Sequence, residues 1–245
     1  MVKQAVIMAG GLGSRFGNRT KEMPKGFIEI EGVPMVERSV QKLIASGVEK
    51  IIIGTGHCNE YYDELAKKYD CIQTIKNEDF RNTSSMGTLA VCAPLVSGDC
   101  FLLESDLLYD SFGLLELNND SRENLVLASG RTNSHDEVYL ESDENGVLIG
   151  VSKNANDLGK ISGELVGISK VSKSFLQKMV TFYENTKTEN AKIDYEKVFK
   201  IIAKDDPIYL KKIETYAWTE IDDEQMLSRA LDLIYPCIKE AESKR

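Results

Sequence analysis

The segment with the clearest chemical meaning is AGGLGSRFGNRTKEMPKGFIEI, residues 9–30. An apolar run leads into three closely spaced glycines, and the cations Arg15 and Lys25 follow them. Glycines after a strand let backbone N–H groups approach a phosphate, and fixed cations supply the opposing charge. The segment therefore predicts a turn that binds the phosphates of a nucleoside triphosphate.

Two common phosphate-binding fingerprints do not fit this segment. A Walker A loop needs GxxxxGK[ST], which is absent. The dinucleotide fingerprint GxGxxG needs a third glycine where this chain has Phe16, and Gly17 comes one position too late. A nicotinamide dehydrogenase is therefore disfavoured. A glycine turn without chemical function is the simpler alternative.

Two aspartates are candidate oxygen ligands for a hard cation such as Mg²⁺. Asp106 follows a buried apolar run, and Asp222 precedes the last predicted helix. Considered separately, each has an ordinary explanation as a residue that ends a strand or caps a helix. His57 and Cys58 also follow a strand, but two adjacent residues of this kind are more typical of a loop than of a metal site.

Taken together, these features resemble the nucleotidyltransferase superfamily that activates sugar phosphates and aminoalcohol phosphates with NTPs. Its opening motif is GxGxR followed by PK, and its WxEID signature matches the WTEID that ends at Asp222. The resemblance spans nearly the whole chain and implies that Arg15 and Lys25 are catalytic, and that Asp106 and Asp222 bind Mg²⁺. Met226 departs from the family, which often has a further Asp there.

The resemblance also implies which residues contact the two substrates. Met86-Gly87-Thr88 resembles the segment whose backbone meets the base, and Lys153 resembles the lysine that holds the acceptor's phosphate. The implied nucleotide-binding residues are Met8, Gly10, Gly11, Gly13, Ser14, Lys25, Asn82, Thr83, Ser85, Gly87, Thr88 and Ser105. The expected acceptor-binding residues are Asp136, Glu137, Lys153 and Glu164.

Within the superfamily, three segments look most like the phosphocholine and 2-aminoethylphosphonate cytidylyltransferases. They are residues 82–86 (NTSSM), 163–172 (GELVGISKVS) and 194–196 (DYE). That subgroup implies an Mg²⁺-dependent enzyme that transfers CMP from CTP to 2-aminoethylphosphonate and releases pyrophosphate. Phosphocholine or a sugar 1-phosphate as acceptor, and a nucleotide-sensing domain without catalysis, are the alternatives.

The charge pattern of residues 131–165 favours a zwitterionic acceptor. The segment has seven carboxylates against Arg131, Lys153 and Lys160, and its one aromatic residue is Tyr139. A primary ammonium has N–H groups that need oxygen acceptors, whereas a quaternary ammonium favours an aromatic cage. We therefore expect one of these acids to pair with a primary amine. A solvated hairpin face is the ordinary alternative.

The elements that position these residues follow from the apolar pattern. Short β-type runs alternate with amphipathic helical runs in the first half, and the second half is richer in β-type runs. We predict one α/β domain with a Rossmann-like, mostly parallel sheet flanked by helices, the nucleotidyltransferase fold. Its predicted parts are a nucleotide-binding lobe (1–115), a β-rich acceptor-binding lobe (116–222) and a C-terminal helix (223–245).

Composition restricts the partners and the compartment. The chain has 245 residues and a formal net charge of -9, which disfavours nucleic acid and anionic membranes. No apolar run approaches the roughly 20 residues of a membrane-spanning helix. The five cysteines lack CxxC spacing, so we expect a reduced, cytoplasmic protein. The expected partners are CTP and a small zwitterionic phosphonate or phosphate, and the sequence does not indicate an oligomeric state.

Overall fold

The computed structural model describes residues 1–16 and 22–245, with the side chain of Ser14 left out. In these ranges the strands are β1 (Gln4–Ala9), β2 (Glu29–Ile30), β3 (Val33–Pro34), β4 (Lys50–Thr55), β5 (Ile72–Lys76), β6 (Cys100–Glu104), β7 (Leu107–Tyr109), β8 (Leu125–Ser129), β9 (Tyr139–Ser142), β10 (Leu148–Ser152), β11 (Gly163–Val171), β12 (Tyr209–Ile213) and β13 (Trp218–Glu220). The α-helices are α1 (Met35–Ala45), α2 (Asn59–Ala66), α3 (Ser85–Cys92), α4 (Phe112–Asn119), α5 (Lys173–Asn190), α6 (Tyr195–Ile202), α7 (Glu224–Arg229) and α8 (Tyr235–Ser243).

Nine of these strands form one central sheet. Strands β6, β1, β4 and β5 lie side by side and run parallel, as their alternation with helices predicts. Strand β11 runs antiparallel to β6 and β9 along one edge and to β8 along the other, and β12 continues beyond β8. The α/β class and the helix-flanked sheet are thus confirmed. The segments that follow β1, β4, β5 and β6 meet at one edge of the sheet.

Helices cover both faces of the sheet because the strand side chains alternate. Along β1, Ala5 and Ile7 belong to the apolar cluster that contains α1, α2 and α4, while Val6 and Met8 belong to the cluster with α3, α5 and α6. None of the helices in the described ranges is long and apolar enough to cross a membrane.

A third apolar cluster attaches the C-terminal helices to the beginning of the chain. Phe16 and Ile28 pack with Ile221 after β13 and with residues of α7 and α8. This cluster brings the two ends of the chain together. It therefore fixes the backbone on either side of Lys25 and next to Asp222.

Candidate functional site

A cavity of about 640 Å³ opens where the parallel strands end. It lies between the turn after β1, the segment that leads into α3, the end of β6 and the strands β11 and β13. The implied nucleotide-binding residues that line it are Met8, Gly10, Gly11, Lys25, Thr83, Ser85, Thr88 and Ser105. The expected acceptor-binding residues Asp136, Glu137, Lys153 and Glu164 line it too, as does Asp106.

Several implied residues lie outside the lining of this cavity. Gly13 and Asn82 belong to neighbouring turns, Gly87 lies in the first turn of α3, and the side chain of Ser14 is outside the described part of the chain. Asn82 donates a hydrogen bond from Nδ2 to Asp79 Oδ1 at 2.6 Å, which holds its side chain within its own loop. Gly13 and Asn82 therefore belong to the loops around the cavity, and Gly87 belongs to the helix beside it.

The turn after β1 packs closely against the protein at Gly10 and leaves free space at Gly11. A Cβ at Gly10 would collide with the Thr88 hydroxyl, whereas a Cβ at Gly11 would have no neighbour within 4 Å. Gly13 has a φ of 62°, in the left-handed region that favours glycine. The backbone can therefore approach a ligand at Gly11 while the turn is held against α3.

A buried asparagine that the sequence analysis missed fixes the segment leading into α3. Asn77, directly after β5, donates from Nδ2 to Thr83 Oγ1 at 2.9 Å and to Thr88 Oγ1 at 3.3 Å. A Cβ at Gly87 would lie 2.6 Å from Thr83 Cβ, so the close packing there requires glycine. The available signal was a polar residue immediately after a buried strand at this edge.

Lys25 lies between the two aspartates that were predicted to bind metal. Its Nζ contacts the carboxylates of both Asp106 and Asp222. The Asp222 side chain is 1% exposed and that of Lys25 16%. Burial alone would lower the pKa of Lys25, but Asp106, Asp222 and Glu220 raise it, so the ammonium stays charged.

The ion pairs continue from Asp222 into the second half of the chain. Arg15 Nη2 lies 2.7 Å from Asp222 Oδ2, and Arg15 Nη1 contacts Asp136. Asp136 Oδ1 in turn lies 2.7 Å from Lys153 Nζ. Burial of Asp136 opposes its ionisation, but hydrogen bonds from Lys153 and Arg15 lower its pKa. The expected amine ligand Asp136 is therefore occupied by two cations of the protein itself.

Two further carboxylates, which the sequence analysis did not assign, complete an acidic cluster. Glu104, Asp106 and Glu220 place carboxylate oxygens within 4.8 Å of one another, and Glu220 forms a similar group with Asp136 and Asp222. Glu104 ends β6, and Glu220 ends β13, which pairs with β7. The WTEID signature contains Glu220, so the signal for this residue was present in the sequence.

The acidic cluster fits a divalent metal ion. Burial, with added repulsion from Asp106 and Glu196, raises the pKa of Glu104 to about 8. Burial and the neighbouring carboxylates also raise the pKa of Glu220 well above its ordinary value. Lys25 therefore does not neutralise all of the local negative charge. Buried carboxylate oxygens with excess negative charge are the ligands that a hard divalent cation prefers.

The other two acids expected to bind the acceptor, Glu164 and Glu137, already accept hydrogen bonds from backbone N–H groups. Glu164 is 2% exposed and its Oε2 accepts a hydrogen bond from the Thr132 N–H at 2.9 Å. Burial raises the pKa of Glu164. Glu137 Oε1 accepts from the His135 N–H at 3.2 Å.

Comparisons with known proteins agree with this architecture. A family model described as a MobA-like NTP transferase domain matches residues 5–116. Choline-phosphate cytidylyltransferase of Haemophilus influenzae is 30% identical over 159 residues, 65% of this chain and 66% of that protein. 2-Aminoethylphosphonate cytidylyltransferase of Lancefieldella rimae is 26% identical over 186 residues, 76% of this chain and 73% of that protein.

A solved structure supports the fold independently of close sequence similarity. CTP:phosphocholine cytidylyltransferase from Streptococcus pneumoniae superposes with a TM-score of 0.80 at 20% identity, covering 94% of this chain and 98% of that one. At this identity the likeness shows the fold alone.

Proposed function

This chain belongs to the NTP transferase superfamily of nucleotidyltransferase enzymes, and from that premise we propose that it transfers CMP from CTP to 2-aminoethylphosphonate. The relatives named as cytidylyltransferases support a cytidylyltransferase that acts on a phosphate or phosphonate. The observation that carries the proposal is a continuous set of ion pairs that includes Lys25, Asp136 and Lys153 of the cavity lining and runs through Arg15 and Asp222, which are not among the lining residues. It joins Arg15 and Lys25, beside the glycine turn, to Lys153, after β10.

The proposed reaction needs no side-chain nucleophile. A phosphonate oxygen of the acceptor attacks the α-phosphorus of CTP, the new P–O bond forms, and the bond to the β-phosphate breaks with release of pyrophosphate. Arg15 and Lys25 neutralise the negative charge that develops on the phosphates, and Lys153 binds the phosphonate. Asp106, Asp222 and Glu220 would hold Mg²⁺, which would supply further charge neutralisation when bound.

The lining of the cavity favours a primary amine over a quaternary one. Within the described residues, the aromatic residues of the lining are Tyr62, Phe80 and Trp218. Tyr62 is 1% exposed and Trp218 is 9% exposed. Little aromatic surface is therefore available for a trimethylammonium group. Carboxylates are more abundant in the lining, and they suit the N–H donors of a primary ammonium.

Phosphocholine is the second candidate acceptor, because the Haemophilus influenzae relative is named for choline phosphate. Pyrophosphate release distinguishes the two. We expect release with CTP and not with ATP, GTP or UTP, and kcat/KM at least about tenfold higher for 2-aminoethylphosphonate than for phosphocholine. An Asp106→Asn variant prepared in parallel controls for contaminating activity. Comparable kcat/KM values for both acceptors would contradict the proposed acceptor, and no release with any acceptor would contradict the proposed enzyme.

A further inference from the structure

One buried acid in the cavity has no role in the network described above. Glu196 is the second residue of α6 and is 8% exposed, although it lines the same cavity. The neighbouring Tyr195, Val198 and Phe199 are buried apolar or aromatic residues of the helix, as the amphipathic pattern requires. A glutamate buried to this extent is rare in proteins unless it has a partner.

The Glu196 carboxylate differs in its hydrogen bonding from most other acids of the lining, and unlike Glu220 it lies outside the acidic cluster proposed to hold metal. Within residues 1–16 and 22–245, no other residue donates a hydrogen bond to it and no cation forms an ion pair with it. By contrast, the neighbouring Asp194 accepts a hydrogen bond from the Ser84 hydroxyl and forms an ion pair with Lys197. Glu104 accepts a hydrogen bond from the Tyr195 hydroxyl at 2.9 Å. The acids further along the lining, Asp136, Glu137 and Glu164, also have donors.

The surroundings of Glu196 suit a positive charge that lies close to a negative one. Asp194 and Glu104 are close enough for mutual repulsion with it, so the local environment is anionic. Lys153, the residue proposed to bind the phosphonate, is also within electrostatic range of Glu196. Lys153 and Glu196 line the same cavity, so an anionic group and an ammonium of one bound molecule would find a partner of opposite charge on each.

We propose that Glu196 binds the primary ammonium of the acceptor while Lys153 binds its phosphonate, an assignment that rests on the proposed function. The ammonium supplies the N–H donors that the carboxylate lacks and the positive charge that its surroundings favour. A quaternary ammonium has no N–H to donate, so Glu196 would discriminate between the two acceptor classes. It is a specificity-determining residue in this assignment.

The test compares two acceptors that differ by the amine alone, 2-aminoethylphosphonate and ethylphosphonate. For Glu196→Gln we expect KM for 2-aminoethylphosphonate to rise at least about tenfold, because a charge-assisted hydrogen bond is lost. KM for ethylphosphonate and for CTP should stay within about threefold of wild type, which also shows that the variant is folded. Glu196→Asp, which keeps the charge, should lie between wild type and Glu196→Gln.

Glu137→Gln is the matched control, since Glu137 lines the same cavity but already accepts a backbone hydrogen bond. It should raise KM for 2-aminoethylphosphonate less than Glu196→Gln does. An equal loss for both acceptors in Glu196→Gln, or no change for the amine, would overturn the assignment of Glu196 while leaving the proposed function intact. A wild-type enzyme that releases no pyrophosphate with any acceptor would overturn both.

Discussion

Replacing Lys25 by methionine tests the electrostatic reasoning at the site without depending on the identity of the acceptor. The substitution keeps an aliphatic side chain of similar length and removes the charge that Asp106 and Asp222 share. Both carboxylates are buried, with side chains 10% and 1% exposed, so they would be left in the protein without this counter-charge.

The expected magnitude follows from the cost of breaking a buried ion pair. Removing one partner typically costs about 3–5 kcal/mol. For a domain of this size each kcal/mol corresponds to a change in Tm of about 2–4 °C, so Lys25→Met should melt about 6–20 °C below wild type in EDTA. A divalent cation that binds the same carboxylates, present at one hundred times its Kd, should stabilise the folded protein by about 2.7 kcal/mol. This corresponds to an increase in Tm of about 5–11 °C.

Thermal melting in EDTA and in excess Mg²⁺ measures both effects, and Lys42→Met is the matched control. The Lys42 side chain is also 16% exposed and contacts Glu242, and neither residue lines the cavity. This variant should lose stability but gain no more from Mg²⁺ than wild type gains. The reasoning would be refuted if Lys25→Met melted within about 2 °C of wild type, or if Mg²⁺ raised its Tm no more than that of Lys42→Met.

Three further predictions concern the same site. Arg15→Ala should lower kcat by at least about 10²-fold, because it removes a cation from the developing charge, and near wild-type turnover would contradict that role. Asp106→Asn and Asp222→Asn should weaken the apparent Mg²⁺ affinity and the activity together, and activity that persists without divalent metal would exclude this metal site. Burial, with repulsion from Asp194, raises the pKa of Glu196 from 4.5 to about 7, so its contribution to stability is complete below pH 4.5 and is lost as the pH rises through 7. Chemical denaturation should therefore show that the free energy of unfolding of Glu196→Gln, taken relative to that of wild type, increases by about 3 kcal/mol between pH 4 and pH 8. Parallel pH profiles of the two proteins would contradict the burial of an ionised Glu196.

The local parts of the fold could be predicted from the sequence because their signals lie within a few residues. The apolar run at residues 4–9 predicts a strand and forms β1, and the apolar spacing of residues 34–46 predicts a helix and forms α1, Met35–Ala45. The turn residues Glu144-Asn145-Gly146 between two β-type runs predict a hairpin, and β9 and β10 form that antiparallel pair, with a φ of 81° at Gly146 that favours glycine. In each case the periodicity of one short segment specified the element.

The pairing of β7 with β13 could not be predicted in the same way. Each strand has three residues, too few for alternation to show, and their pairing joins Leu107 with Glu220 across more than one hundred residues. This pairing places Glu220 beside Glu104 and Asp106. Glu104 and Glu220 were therefore missed because their chemical role depends on a long-range contact. Asp106 and Asp222 were recognised through family resemblance.

In this structure the cations at the centre of the site are paired with its aspartates before any substrate binds. Lys25 and Arg15 pair with the aspartates that are proposed to bind metal, and Arg15 also pairs with Asp136. A triphosphate that paired with the cations would leave the aspartates without a counter-charge. A metal ion that bound the aspartates would leave the cations without a counter-charge. Each ligand alone therefore leaves unpaired buried charges, which are costly. Because each ligand would supply charges opposite to those that the other leaves unpaired, we expect the nucleotide and the metal ion to bind together. The metal-dependent melting of Lys25→Met measures the metal's part of that exchange.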